Sequence, residues 1–382
     1  MYGLALCLPL TGSSGNRLEA RLTPYVRAGL VPAPCGATTR VARTPRNPED
    51  PIKPMSVRAL YRQTKLENIP APYDTLTLKV FYPARLGDTA EERNAGIIPA
   101  DTAMAPFPVL IFMPEVNCGP ESYQWLAEQL ARRGIVTITY SYIAEDIPGT
   151  VSLTPGMNIQ ALRPQIYGTL PSSAILPALL QTLAQLQVRG VLAGLLRLDS
   201  LILGGHAAGG TLALQNANRQ WFPQVAAAFS YAAHTKAPTM LGYAADTILP
   251  LSGDVPLLIM GGTRDGVIAG SVGRYEQSQT HNWEPLERTF REGVPDCGRN
   301  DISLLILEGA NHYLPCHPQD KTTGRPFLDL PADENEVALR YLLGDAIEFF
   351  IEGVVLDNAA AQERFNQLIT EANPLIALSE CK

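Results

Sequence analysis

No run of 18 apolar residues occurs anywhere in the 382-residue chain, so no membrane-spanning helix is expected. A basic surplus is missing too: 30 Lys and Arg stand against 37 Asp and Glu, a formal charge of −7. That balance argues against nucleic acid and anionic membrane surfaces as partners, because their phosphates would go unneutralised. Six cysteines (Cys7, Cys35, Cys118, Cys297, Cys316 and Cys381) sit at wide, irregular spacings with no C-x-x-C, which fits neither a disulfide framework nor a zinc site. Reduced thiols and no metal or other cofactor are the expectation, although Cys297 and Cys316 flank His312 closely enough in sequence to approach one another. The first ten residues lack a basic start, are interrupted by Pro9 and show no clear small-residue cleavage site, so a signal peptide is not expected.

What is present is an ordinary globular balance, 46% hydrophobic and 18% charged, with ample material for a core. The length suits a single α/β domain with extensions. Residues 1–54 stand apart: six arginines and one lysine against three acids give them +4 and leave −11 on the remainder. With many prolines and no period of 2 or 3.6, they read as a disordered leader. They are either an organelle transit peptide or an extension ahead of the true initiator, Met55; the second reading is preferred, with a cytoplasmic protein and one domain over residues 55–382.

Along that domain, residues 76–82 alternate as a strand suited to an antiparallel sheet edge, and residues 109–113 form a continuous apolar run typical of a strand buried on both faces. A helix over 121–133, closed by Gly134, leads to a strand at 135–140, a crossover that builds a parallel sheet. Residues 142–170 are rich in proline and glycine and form either a lid or a long surface connection. A helix at 172–187 and strands at 199–204, 225–231, 255–262 and 302–307 follow, with a polar excursion over 269–300 and a last helix over 332–353. The whole predicts an α/β fold with a mostly parallel central sheet flanked by helices.

The stretch from residue 201 to 214, LILGGHAAGGTLAL, reads as strand, tight turn, helix. Gly205, Gly209 and Gly210 bracket Ala207 at the spacing of a G-x-S-x-G nucleophile elbow, where small residues let a strained turn lift the central residue above the sheet. A methyl group cannot attack a carbonyl carbon. Asp265 follows the run 255–262 and His312 follows 302–307, which reproduces the chain order nucleophile position, acid, base. Asp265-Gly266 is also a common turn pair, and His312 also fits an ordinary loop.

Residues 107–142, 201–214, 256–268 and 306–313 together resemble the α/β-hydrolase group that includes chlorophyllases, platelet-activating-factor acetylhydrolases, polyester hydrolases and dienelactone-hydrolase-like proteins. That group typically carries Gly-His-Ser-x-Gly-Gly, and this chain has Gly205-His206-Ala207-Ala208-Gly209-Gly210. The resemblance implies an α/β-hydrolase fold, with Ala207 at the nucleophile position, Asp265 as orienting acid, His312 as general base and the Ala208 amide as an oxyanion-hole donor. Glu115, in the Pro114-Glu115-Val116 loop, stands where the group commonly has the glycine of the second oxyanion loop, and a carboxylate there would oppose a developing oxyanion. Cys118 is the nearest other nucleophile in sequence but reads as a small filler residue.

Three functions follow as expectations: a non-hydrolytic pseudoenzyme that binds a small hydrophobic or ester-type ligand; a carboxylic ester hydrolase whose serine is replaced by Ala207; or a base catalyst that uses only His312 and Asp265. Deleting residues 1–54 is expected to leave the melting temperature nearly unchanged. A large drop would show that the leader packs on the domain.

Overall fold

The runs expected to be strands buried on both faces are buried along their whole length: every residue of Phe107–Met113, Leu257–Gly262 and Ile302–Leu307 is shielded from solvent. The computed structural model describes residues 56–382 except 68, 88, 95, 148, 272–280 and 297, all within one compact unit that begins near residue 52. The leader and Cys297 lie outside the described residues.

In chain order the elements are β1 (Ser56–Lys65), β2 (Thr75–Ala84), α1 (Ala90–Asn94), β3 (Phe107–Met113), α2 (Gln124–Arg132), β4 (Val136–Ile147), β5 (Thr150–Leu153) and α3 (Leu176–Val188). They continue with β6 (Leu196–His206), α4 (Ala208–Asn216), β7 (Val225–Tyr231), β8 (Leu257–Gly262), α5 (Gly266–Ala269), α6 (Glu284–Arg288), β9 (Ile302–Leu307), α7 (Glu336–Leu356), α8 (Ala359–Thr370) and β10 (Ile376–Cys381). The ten strands among the described residues form one mixed sheet in the order β1-β2-β4-β3-β6-β7-β8-β9-β10, with β5 hanging from β4. The six from β4 to β9 along that order run parallel to one another, and antiparallel strands close both edges. This is an α/β architecture with a mostly parallel sheet flanked by helices. No helix of the described residues is long and apolar enough to cross a membrane.

The edges differ from the expectation. β2 is covered on its outer side by β1, so residues 76–82 are not the sheet edge. β1 has no fully buried residue, and its half-exposed apolar positions are separated by arginines and glutamine, which weakens the period-2 signal. At the other edge β10 is likewise half-exposed, and α8 carries two buried residues only. β4 runs seven residues beyond the expected end at Tyr140 because β5 folds back on its far end as a hairpin. The helix expected from residue 172 starts at Leu176, where the Ser173 hydroxyl accepts the Leu176 amide at 3.1 Å and Pro177 fits the first turn.

One close approach registers the helix layer on the sheet. The first turn of α4 is pressed against the end of β3, so a Cβ built on Gly209 would stand 2.2 Å from the Met113 carbonyl oxygen and 2.4 Å from that of Pro114. A Cβ on Gly205 would meet the Gly209 backbone at 2.5 Å. Backbone atoms on both sides leave nothing flexible to yield. Gly209→Ala should therefore cost about 1–3 kcal/mol or more through overpacking, read as a lower midpoint in urea unfolding. An unchanged midpoint would show that α4 can slide away from β3.

Candidate active site

The strand order reverses at β3: the chain leaves it for β4 on one side and returns as β6 on the other. In open α/β sheets the crevice beyond the carboxyl ends at such a point is where ligands bind. Met113 and Gly205 are paired across it, so Glu115, two residues past β3, and Ala207, one past β6, leave the sheet side by side. β8 and β9 bring their own following loops, carrying Asp265 and His312, to the same end.

Ala207 has φ 48° and ψ −114°, a conformation that an L-residue adopts only under constraint and that costs on the order of 1–3 kcal/mol. Its amide donates to the Tyr231 carbonyl at 2.9 Å and its carbonyl accepts from the Thr211 amide at 2.9 Å, which pins the turn at both ends. Asp265 caps α5, accepting the Ile268 amide at 2.8 Å, and its carboxylate holds Nδ1 of His312 at 3.0 and 2.8 Å. Asp265 is 1% exposed and His312 2%. Nε2 of His312 is buried without a hydrogen-bond partner among the described residues, and the ring lines a cavity of about 200 Å³.

Glu115 closes the constellation in an unexpected way. It is 5% exposed, and its Oε2 accepts the Ala208 amide at 3.0 Å. The same oxygen lies 4.0 Å from His312 Nε2, too far for a hydrogen bond but close enough for charge to act. Burial pulls the His312 pKa down, yet the Asp265 charge and hydrogen bond, followed by Glu115 and Asp329, outweigh it and hold the imidazole above its ordinary value. The ring sits between two carboxylates.

Three residues that the sequence pattern did not single out hold these loops in place. The Glu115 amide donates to the Tyr123 hydroxyl at 3.2 Å, Tyr123 donates to His206 Nδ1 at 2.9 Å, and His206 Nε2 donates to the His312 carbonyl at 2.9 Å. A carbonyl can only accept, so Nε2 carries the His206 proton and Nδ1 must be the acceptor. Burial, then the neighbouring His312, pushes the His206 pKa far down, keeping it the neutral link this chain needs. Asp329 accepts from the amides of Gly266 at 3.0 Å and of His312 and Tyr313 at 3.2 Å each, joining the acid loop to the histidine loop. His206 was visible only as part of the elbow, and nothing local in sequence marks Tyr123 or Asp329.

The cavity wall is apolar at Met157, Leu162, Leu249, Val267 and Ile268 and polar at His234, Lys236 and Arg325. Met157 and Leu162 show that the 142–170 segment contributes to the wall. His234 is held at a pKa of about 4 by burial and then by Lys236. Cys118 and Cys316 are buried free thiols, Cys316 Sγ lying 3.8 Å from His206 Nδ1, and burial pushes the Cys316 thiol up. Neither lines the cavity. No group of three or more His, Cys, Asp or Glu among the described residues is placed to hold a metal.

The pKa of His312 generates a test of the Glu115 contact. A histidine raised on folding stabilises the protein fully below its unfolded value of about 6.5, and the contribution is lost as pH rises through the folded value. His206 and His234, lowered on folding, act in the opposite sense and destabilise at acid pH. Glu115→Gln should move the His312 titration, followed by imidazole ¹⁵N NMR, to lower pH and narrow its stabilising window from the alkaline side. An unmoved midpoint would mean that Asp265 alone sustains the charge. No protein-family model matches the chain, and no curated protein sequence is significantly similar to it, so the meaning of this site rests on its geometry.

Proposed function

We propose that the chain is an α/β-hydrolase-fold protein that has given up acyl transfer and binds a small, largely apolar molecule in the cavity over Ala207. A strand, a strained positive-φ turn and a helix packed through glycines support the elbow reading, and the 2.8 Å contact of His312 with Asp265 supports the acid and base positions. The observation that carries the non-hydrolytic reading is the hydrogen bond from the Ala208 amide to Glu115. In a hydrolase of this fold that amide must meet the oxygen on which negative charge develops. Here it is already engaged by a carboxylate, and the position before it offers a methyl group. Loss of the nucleophile and occupation of the hole are independent obstacles, and either one alone would suppress turnover.

A second reading, base catalysis by His312 and Asp265 without a covalent intermediate, draws support from the 2.8 Å contact between the two beside the cavity.

Hydrolysis of short p-nitrophenyl esters separates these readings. The unaltered chain should match its His312→Ala variant, and Ala207→Ser alone should add little. Ala207→Ser combined with Glu115→Gly should then raise turnover over the single variant by on the order of a hundred- to thousandfold, the worth of an oxyanion donor. His312-dependent hydrolysis by the unaltered chain would overturn the non-hydrolytic reading. Full activity in Ala207→Ser alone would overturn the role given to Glu115.

A further inference from the structure

We infer that the cavity selects a small apolar carboxylate, whose head docks on the Arg325 guanidinium and whose body lies against the hydrophobic wall. The inference rests on the reading of the site as a binding pocket and adds the chemical class of the ligand. Arg325 lines the cavity and is half-buried. Among the described residues its side chain makes a single hydrogen bond, a long one from Nη1 to the Ser271 hydroxyl at 3.4 Å, and no carboxylate lies within ion-pair distance. Its other nitrogens are not sealed from solvent. A guanidinium in this state is shaped for a carboxylate, which meets its planar fork with two parallel bonds. The loop that presents it is fixed: the Arg325 amide donates to the Tyr313 hydroxyl at 2.9 Å, the Thr323 hydroxyl donates to the Asn117 carbonyl at 2.8 Å, and Asp329 ties the far end to the histidine loop.

Other polar side chains of the wall are engaged. Lys236 is paired with Asp246 at 3.6 Å, and Ser271 and Thr211 donate their hydroxyl protons to the Val267 and His234 carbonyls at 2.7 and 3.0 Å. The wall therefore offers a head group mainly cationic donors, and an ammonium would face Lys236 and Arg325 with like charge. A neutral ester carbonyl can accept from Arg325, but it brings neither the second parallel bond nor the opposite charge. Glu115, the acid on the wall, sets the orientation. Its charge, held on the Ala208 amide, repels a second carboxylate, so the head takes the Arg325 side and the body lies over Ala207 among Met157, Leu162, Leu249, Val267 and Ile268. A phosphate monoester would add a further negative charge to that repulsion.

Size sets the probe. A dry cavity of about 150 Å³ accepts benzene, so about 200 Å³ leaves room for a ring bearing a carboxylate. Titration calorimetry of the full chain near neutral pH with benzoate, toluene, methyl benzoate, benzylamine, phenyl phosphate and acetate should rank benzoate tightest. Its lead over toluene and methyl benzoate should be roughly tenfold or more, the scale of a hydrogen bond to a charged group. Acetate, an anion without an apolar body, should bind far more weakly. Arg325→Met, which keeps an apolar stem and removes the fork, should weaken benzoate by roughly tenfold or more and leave toluene unchanged, and Arg325→Lys should recover part of the loss. With toluene still binding, any other probe as tight as benzoate, or a benzoate affinity unmoved in Arg325→Met, would overturn the inference and leave the pocket reading standing. Saturable binding of none of the probes would overturn both. Turnover of methyl benzoate by the unaltered chain would instead overturn the non-hydrolytic reading and leave the ranking of ligands standing.

Discussion

The contact between the first turn of α4 and the end of β3 governs everything that happens at the carboxyl edge of the sheet. Because Gly209 lies against the carbonyls of Met113 and Pro114, the Ala208 amide and the Glu115 side chain emerge within hydrogen-bonding reach, although 93 residues separate them. A side chain at residue 209 would force the helix outward and break that bond. The glycines therefore act through distance, not flexibility: Gly205 and Gly209 have ordinary negative φ, and what they supply is the missing Cβ.

From this close approach the electrostatics follow. Asp265 orients His312 from behind, Glu115 faces it across 4.0 Å, and the Tyr123–His206 chain fixes the loops that carry Glu115 and His312 relative to each other. Buried charges are tolerated only when paired and hydrogen-bonded. Each member here has such support: Asp265 from the Ile268 amide and the imidazole, Glu115 from the Ala208 amide, and His312 from Asp265. Among these groups the ring nitrogen Nε2 of His312 alone has no hydrogen-bond partner, and it is buried 4.0 Å from the Glu115 carboxylate.

Much of this was legible in the chain and some was not, for physical reasons. Buried parallel strands write themselves as largely apolar runs, so β3, β7, β8 and β9 stood out, and the loops following β8 and β9 marked Asp265 and His312 by position. β1 and β10 each expose one side, and their mixed composition hides them. Glu115 was visible as a residue out of place, but sequence could not tell a carboxylate pointing into solvent from one turned inward onto the Ala208 amide. Tyr123, His206 and Asp329 work through partners 8 to 106 residues away, and no local pattern encodes a bond of that kind.

The strained turn at Ala207 shows how the layers separate. In an active elbow the positive φ serves the nucleophile, and strain of 1–3 kcal/mol is tolerated for the geometry it creates. At Ala207 a φ of 48° surrounds a methyl group, held by the Tyr231 and Thr211 hydrogen bonds and by the glycine packing on both sides. The strain belongs to the framework, because relaxing it would require moving α4 off β3. The chemically specific features are the ones the framework does not require: a carboxylate on the Ala208 amide and an imidazole held between that carboxylate and Asp265. Removing one partner of the His312–Asp265 pair would leave the other buried without its counterpart, so these groups are held in place as a set.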